Sequence, residues 1–126
     1  MIVTKRIYEP VDARDGYRVL IDRLWPRGVS KTAACLDEWA KAVAPSTELR
    51  HWYGHDPAKW EEFQRRYAGE LDNPEAQAVL EALAKRAKRG RVTLLYSARE
   101  ATISNAEALA HMLEARGART HAPAHR

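Results

Sequence analysis

Two arginines and a tryptophan are crowded into residues 22–28, whose sequence is Asp-Arg-Leu-Trp-Pro-Arg-Gly. A guanidinium group presents a rigid fork of donors that matches carboxylate and phosphate, and an indole offers a face on which a ring or a cation can stack. This combination predicts a site for a small anionic ligand, phosphate-like or nucleotide-like. The competing interpretation is structural, with Asp22 paired to an arginine and Trp25 packed into the core beneath Pro26.

A second group of polar residues follows the last strand that the sequence predicts. In an open parallel sheet, ligands collect beyond the carboxyl ends of the strands, where the loops diverge. If this strand and the one before residue 22 are neighbours, their arginines converge on one hollow. The predicted ligand-binding residues are Arg23, Trp25, Arg27, Tyr96, Ser97, Arg99 and Asn105.

Acid–base chemistry requires a titratable group beside those arginines, and Asp22 and His55 are the two candidates. Imidazole titrates near neutral pH, which would suit His55 to proton transfer. The residues alone leave open whether a reaction occurs, and they do not identify a cofactor.

A metal site is not expected. His51 and His55 are four residues apart, but Gly54 interrupts the helix that would bring both to one ion, and a third ligand is not apparent. Cys35 is the one cysteine, so an internal disulfide and a cysteine-based zinc site are both excluded. Its apolar neighbours predict a packed thiol rather than a nucleophile.

Three strands are predicted to position these groups. Residues 2–8 alternate in polarity, residues 17–24 have the continuous apolar centre of a strand covered on both faces, and residues 91–97 form a short buried strand. The long helical insert lets the second and third strands run parallel, whereas the loop over residues 9–16 is too short for the usual crossover and leaves the first strand's direction open. The expected fold class is α/β, a small, mostly parallel sheet of about three strands with helices packed against it.

Helix signals fill the rest of the chain. Ser30 caps a helix whose apolar positions continue to Val43, and a second helix opens at Pro45-Ser46 and closes at Gly54. Asp-Pro at residues 56–57 and Asn-Pro at residues 73–74 open two longer helices. The first of these carries a stripe of apolar residues that we expect in the core. Its members are Trp60, Phe63, Tyr67 and Leu71.

The last helix begins with a capping box of Ser104 and Glu107 and ends near Arg116. Such a box satisfies two backbone donors and places a carboxylate at the positive end of the helix. A phosphate near this helix should therefore be held by arginines rather than by the helix N-terminus.

The 126 residues, of which 45% are hydrophobic and 30% charged, predict a single domain over residues 1–117 and a flexible C-terminal tail over residues 118–126. The first residues resemble neither a signal peptide nor a membrane span. We therefore expect a cytoplasmic location and no membrane partner.

The net charge of +4 keeps a second class of function open, an RNA- or DNA-binding module. Its contacts would be Lys31, Lys41, Arg50, Arg65, Arg66 and the basic cluster at residues 85–91. That cluster also has a structural explanation, because cations are favourable at the end of a helix. A third alternative is a protein-partner-binding domain that uses Trp25 and Trp52 as interface anchors.

The run at residues 18–31, followed by those at residues 36–39, 44–50 and 53–57, resembles the YeaO-like family of small bacterial proteins. The likeness extends to about Arg116 and implies an α/β fold without an agreed activity. Some members carry the label uroporphyrin-III methyltransferase. This chain, however, has no Gly-rich loop after its first strand that would cradle a nucleoside cofactor.

The family pattern has an aromatic-alanine-arginine step after the last strand, and then a His-Asn pair that opens the helix. Here Tyr96-Ser97-Ala98-Arg99 keeps most of the step, whereas Ser104-Asn105 keeps only the asparagine. Because the histidine is replaced, the resemblance favours binding over general-base catalysis and directs attention to Asn105.

Overall fold

The computed structural model describes residues 1–120 of the chain. In that range it forms four strands and five α-helices, with short 3-10 turns between them. In chain order these are β1 (Ile2–Arg6), β2 (Tyr17–Leu20), α1 (Lys31–Ala34), β3 (Glu38–Trp39), α2 (Thr47–Tyr53), α3 (Trp60–Glu70), α4 (Pro74–Arg89), β4 (Val92–Tyr96) and α5 (Asn105–Ala115). The α/β class is confirmed.

The strands form one parallel sheet in the order β1-β4-β2-β3. Leu94 of β4 pairs with Thr4 on one side and with Val19 on the other. The second strand and the last strand are therefore neighbours, which is the condition on which the predicted site depends, and β1 runs parallel to β4. Two details differ from expectation, because the described sheet has four strands rather than about three and β2 ends at Leu20 rather than Leu24.

The predicted helix from Ser30 to Val43 is wrong beyond Ala34. Cys35 has a φ of +48°, a left-handed conformation that a helix cannot continue, and its side chain is exposed rather than packed. The chain then adds β3 to the edge of β2, where Glu38 pairs with Val19. The apolar residues that fall at helical spacing in this stretch lie in and around a two-residue strand and a 3-10 turn rather than in a helix.

The sheet is covered on both faces. All five residues of β4 are buried, and Leu94 belongs to the large cluster under α3, α4 and α5, whereas Leu95 belongs to a smaller cluster with Trp25 and Trp39. The predicted aromatic stripe is in the large cluster, where Phe63 and Tyr67 are fully buried.

The start of α5 differs from the expected capping box. Ser104 Oγ accepts a hydrogen bond from the Glu107 N–H at 3.1 Å, which is the first half of the box. The Ser104 N–H donates instead to the Ala101 carbonyl, and the Glu107 carboxylate lies 3.0 Å from His111 Nε2. The carboxylate therefore pairs along the helix rather than closing its first turn.

Residues 118–120 return to β1. Ala118 is buried, and the Ile2 N–H donates to the Arg119 carbonyl at 2.6 Å. The rest of the predicted tail, residues 121–126, lies outside the described residues. Neither α4 nor any shorter helix of residues 1–120 has the length and apolar character that crossing a bilayer requires.

Candidate functional site

Asp22 joins the elements at the carboxyl edge of the sheet. Its Oδ2 accepts hydrogen bonds from the N–H and Oγ of Ser97 at 2.9 and 2.8 Å, and its Oδ1 accepts one from Asn105 Nδ2 at 3.0 Å. Its main-chain carbonyl accepts a bond from Trp39 Nε1 at 2.7 Å. A single residue therefore links the end of β2 to the end of β4, the start of α5 and β3.

A cavity of about 820 Å³, here called the outer cavity, opens beside Asp22. Its walls include the predicted site residues Asp22, His55, Trp25, Arg27, Ser97 and Arg99, together with Arg6, Tyr8, Arg50 and Glu100. Four arginines therefore line this cavity with two carboxylates, so positive charge dominates it.

The arginines of the outer cavity are of two kinds. Arg6 donates to the main-chain carbonyls of Ser97 and Ala98 at 3.0 and 2.9 Å, so its role is to hold the loop after β4. The guanidinium groups of the others, Arg27, Arg50 and Arg99, have no hydrogen bond or ion pair to any group within residues 1–120. Their donors are available to a ligand or to water.

Two predicted binding residues, Arg23 and Tyr96, line neither this cavity nor the smaller one described below. Arg23 donates from Nε and Nη2 to the carbonyls of Pro45 and Ala44, each at 3.2 Å, which fixes the loop before α2. Tyr96 is 2% exposed, and burial together with the charge of Glu9 raises its pKa to about 12. The contacts of Arg23 and the burial of Tyr96 are those of residues that stabilise the fold.

Trp25 satisfies both interpretations of its role. Its Nε1 donates to the Val29 carbonyl, and its ring meets the Trp39 ring edge-on with centroids 5.2 Å apart. The ring nevertheless remains half-buried and forms part of the outer cavity wall. The contacts with Val29 and Trp39 fix the orientation of the Trp25 ring, so it presents a rigid surface to the outer cavity.

A second, smaller cavity of about 250 Å³, here called the inner cavity, adjoins the outer one. The two share Asp22, Arg50, His55, Ser97 and Ala98, and the inner walls add Pro45, His51, Tyr53, Phe63 and Asn105. The rings of Tyr53 and Phe63 stack with centroids 4.1 Å apart. Burial and the charge of Asp56 raise the pKa of Tyr53 to about 12, so it is a neutral phenol that donates to the Ile103 carbonyl at 2.8 Å.

His55 reaches both cavities through an unusual backbone conformation. It follows Gly54, which ends α2, and its own φ is +56°. His51 lies on the inner wall alone. Among residues 1–120, no group of three or more His, Cys, Asp or Glu side chains is placed to hold a metal ion.

The wall residues that the sequence predictions missed include Arg6, Tyr8, Arg50 and Glu100. Arg6 is the last residue of β1, so the rule that places ligands at strand ends would have included it, had the direction of β1 been known. Arg50 had been assigned only to polyanion binding. Its position is set by α2, whose buried Leu49 and Tyr53 fix which side of the helix faces the cavities.

The fold and the site together define a small α/β domain with an arginine-lined, ligand-sized hollow at the carboxyl edge of a parallel sheet. A family model described as "DUF488-N3i: Inactive DUF488-N3 subclade" matches residues 1–126, and the chain belongs to this family.

Curated relatives support the same grouping and confirm the YeaO-like resemblance. The chain is 45% identical over 112 residues to "Uncharacterized protein YeaO" of Escherichia coli, which covers 89% of this chain and 96% of the relative. It is 43% identical over 111 residues to "Uncharacterized protein Rv3073c" of Mycobacterium tuberculosis and to "Uncharacterized protein Mb3100c" of Mycobacterium bovis, covering 88% of this chain and 92% of each relative. No solved structure matches the chain.

Proposed function

We propose that the chain binds a small anionic ligand, phosphate-like or nucleotide-like, in the outer cavity without transforming it. The observation that carries this proposal is the convergence of Arg27, Arg50 and Arg99 on one hollow while their guanidinium groups lack a partner among the described residues. Like charges held together repel each other, and an anion between them relieves that repulsion. The planar donor fork of arginine suits the oxygens of phosphate.

Two observations favour binding over turnover. The carboxylate of Asp22 already accepts three hydrogen bonds, from Ser97 and Asn105, so its role is to fasten the site rather than to exchange a proton. The family to which the chain belongs is described as an inactive subclade. His55 is left as the candidate acid or base, and it is exposed at the mouth of the site.

The test is the thermal unfolding of the full chain with inorganic phosphate, sulfate or a nucleoside 5′-monophosphate. A ligand at 100 times its dissociation constant stabilises the folded state by about 2.7 kcal/mol, so Tm should rise by several degrees. The double variant Arg27→Ala, Arg99→Ala should lose this rise. Arg65→Ala is the matched control, because Arg65 is exposed, pairs only with Glu62 and lines neither cavity. A rise that persists in the double variant would refute the proposal.

Nucleic-acid binding is the second candidate, and one feature favours it. A hollow of about 480 Å³ is lined by Lys85, Arg86, Arg89 and Arg91 beside Tyr17, with the Arg86 guanidinium 3.9 Å from the Tyr17 ring centroid. Other basic residues of this hypothesis have partners within the chain. Arg65 and Arg66 pair with Glu62, and Lys41 lies over the ring of Trp39.

This candidate predicts that affinity for a labelled single-stranded or duplex oligonucleotide falls steeply with salt. The variant Arg89→Ala, Arg91→Ala should then bind more weakly and with a shallower salt dependence, whereas Arg27→Ala should bind as the wild type does. Absence of binding at low salt would remove this candidate.

The protein-partner alternative has little support in residues 1–120. The Trp25 ring is engaged by Trp39, and the Trp52 ring is covered by Lys59 and Arg66, whose charged groups lie 5.1 and 4.2 Å from its centroid. Neither indole is the free anchor that this alternative requires.

A further inference from the structure

The two cavities differ in the chemistry of their walls. The outer cavity holds the three arginines without partners in the described chain, and of these only Arg50 also borders the inner cavity. The residues that belong to the inner cavity alone are Pro45, His51, Tyr53, Phe63 and Asn105, and none of them carries a permanent charge. Because five residues line both cavities, the two lie side by side, and a ligand that spans them must have two unlike ends.

The size and rigidity of the inner cavity restrict what enters it. Sites for whole drug-sized ligands begin at roughly 300 Å³, so about 250 Å³ accommodates a single small ring rather than a complete ligand. Tyr53 and Phe63 line it, and these two residues are only 3% and 1% exposed. Because their rings stack against each other, they form a fixed apolar wall that suits an uncharged occupant.

Asn105 gives the inner cavity a directional acceptor. Its Nδ2 donates to the Ile21 carbonyl at 3.2 Å and to Asp22 Oδ1 at 3.0 Å, and both partners only accept. The amide therefore cannot be flipped without placing oxygen against oxygen. Its Oδ1 is left without a donor from residues 1–120, and Asn105 lines the inner cavity. This oxygen suits an N–H or amino group of a ligand.

We infer that the ligand is an organic phosphate whose uncharged part is a small planar ring bearing an N–H or amino donor. This inference rests on the proposed function. The phosphate lies among the arginines of the outer cavity, and the ring lies in the inner cavity beside Tyr53 and Phe63 with its donor directed at Asn105 Oδ1. Nucleoside monophosphates belong to this class. Inorganic phosphate and sugar phosphates fill only its outer half.

The test compares cytidine 5′-monophosphate with ribose 5-phosphate by calorimetric titration of the full chain. The two probes share the phosphate and the sugar, and only the first carries a planar ring with an amino group. Burial of the added ring against the apolar wall and one added hydrogen bond predict affinity at least about tenfold tighter for cytidine 5′-monophosphate. Equal affinities would overturn this inference and leave the proposed function standing. Failure of both probes and of inorganic phosphate to bind would overturn both.

Single substitutions distinguish the contribution of the outer cavity to affinity from that of the inner cavity. Asn105→Ala removes only the hydrogen bond and should reduce the advantage of cytidine 5′-monophosphate over ribose 5-phosphate by about fivefold. Arg99→Ala should weaken both probes by the same factor. The wild-type comparison requires no substitution, so an Asn105→Ala chain that fails to fold does not obscure it. His51→Ala, at an exposed position on the inner wall, is the second variant and should weaken only cytidine 5′-monophosphate. An advantage of that probe that neither substitution reduces would contradict the inference.

Discussion

Arginine has opposite roles in two regions of this domain. In the charge cluster formed by Lys5, Asp15 and Arg18, the Arg18 side chain is 5% exposed and its Nη1 lies 2.6 Å from Asp15 Oδ2. Its other donors reach the carbonyls of Ala34 and Cys35 at 2.8 to 3.2 Å. In the outer cavity, the side chains of three arginines are exposed and have no such partners within residues 1–120. These are Arg27, Arg50 and Arg99.

The comparison shows that burial, rather than residue type, separates a structural arginine from one that can serve a ligand. A buried guanidinium is tolerated only when its charge and donors are satisfied. Burial also raises the pKa of Asp15, but hydrogen bonds from the Asp12 N–H, Lys5 and Arg18 outweigh this and hold the pKa below its usual value. The carboxylate is thus kept ionised as the anchor of the cluster.

The largest effect should come from removing the buried arginine. Arg18→Ala leaves the Asp15 carboxylate short of a partner and three carbonyl contacts unmade, so we expect a loss of about 3 kcal/mol in the free energy of unfolding. Arg27→Ala is the matched control and should change it by less than about 0.5 kcal/mol. Urea denaturation measures both, and similar losses in the two variants would show that burial does not distinguish the roles of the two arginines.

Asp22→Ala should have the next largest effect. The carboxylate accepts three hydrogen bonds that join β4 and α5 to the end of β2, and we expect a loss of about 2 kcal/mol on the same urea assay. Glu100→Ala is the control from the same cavity, because Glu100 is exposed and its carboxylate has no hydrogen bond or ion pair within residues 1–120. An Asp22→Ala chain as stable as Glu100→Ala would show that the carboxylate does not fasten the site.

A smaller effect should appear in the pH dependence of stability. The pKa of Asp15 is lower in the folded chain than its ordinary value of 3.8, so its contribution is fully present above that value. The contribution is lost as the pH falls through the folded pKa. Between about pH 4 and pH 2, the wild type should therefore lose more stability than Asp15→Asn, measured by denaturation at each pH. Parallel pH profiles would mean that the cluster does not depress this pKa.

The smallest effect should come from exchanging one cation for another in the outer cavity. Arg27→Lys keeps the charge but loses the planar fork, so stability should be unchanged and the affinity for inorganic phosphate should fall only a few-fold. Isothermal titration against wild type and Arg65→Lys measures the difference. A loss as large as that of Arg27→Ala would show that geometry matters more than charge at this position.

The sequence predicted the central parts of the fold and a large part of the candidate site. Continuous apolar runs mark β2 and β4 as covered strands, and the rule for parallel sheets then places Arg27, Ser97 and Arg99 at one edge. Those three residues line the outer cavity. That they bind a ligand stays a prediction.

What the sequence did not predict depends on contacts that leave no local pattern. β2 ends at Leu20 rather than Leu24, so Arg23 lies beyond the strand, and its side chain is held by the carbonyls of Ala44 and Pro45. The left-handed conformation of Cys35 is rare for a residue other than glycine. The two residues of β3 are too few for a periodic signal.

The hydrogen bonds of Asp22 cross long stretches of the chain, 75 residues to Ser97 and 83 to Asn105. Both cavities are therefore closed by segments that leave the ribosome long after β2 has done so. A nascent chain released before α5 would contain Arg27 and Arg50 but would lack Asn105, and with it one wall of the inner cavity. The inner cavity is thus complete only after the last helix has been synthesised and has packed against the end of β2.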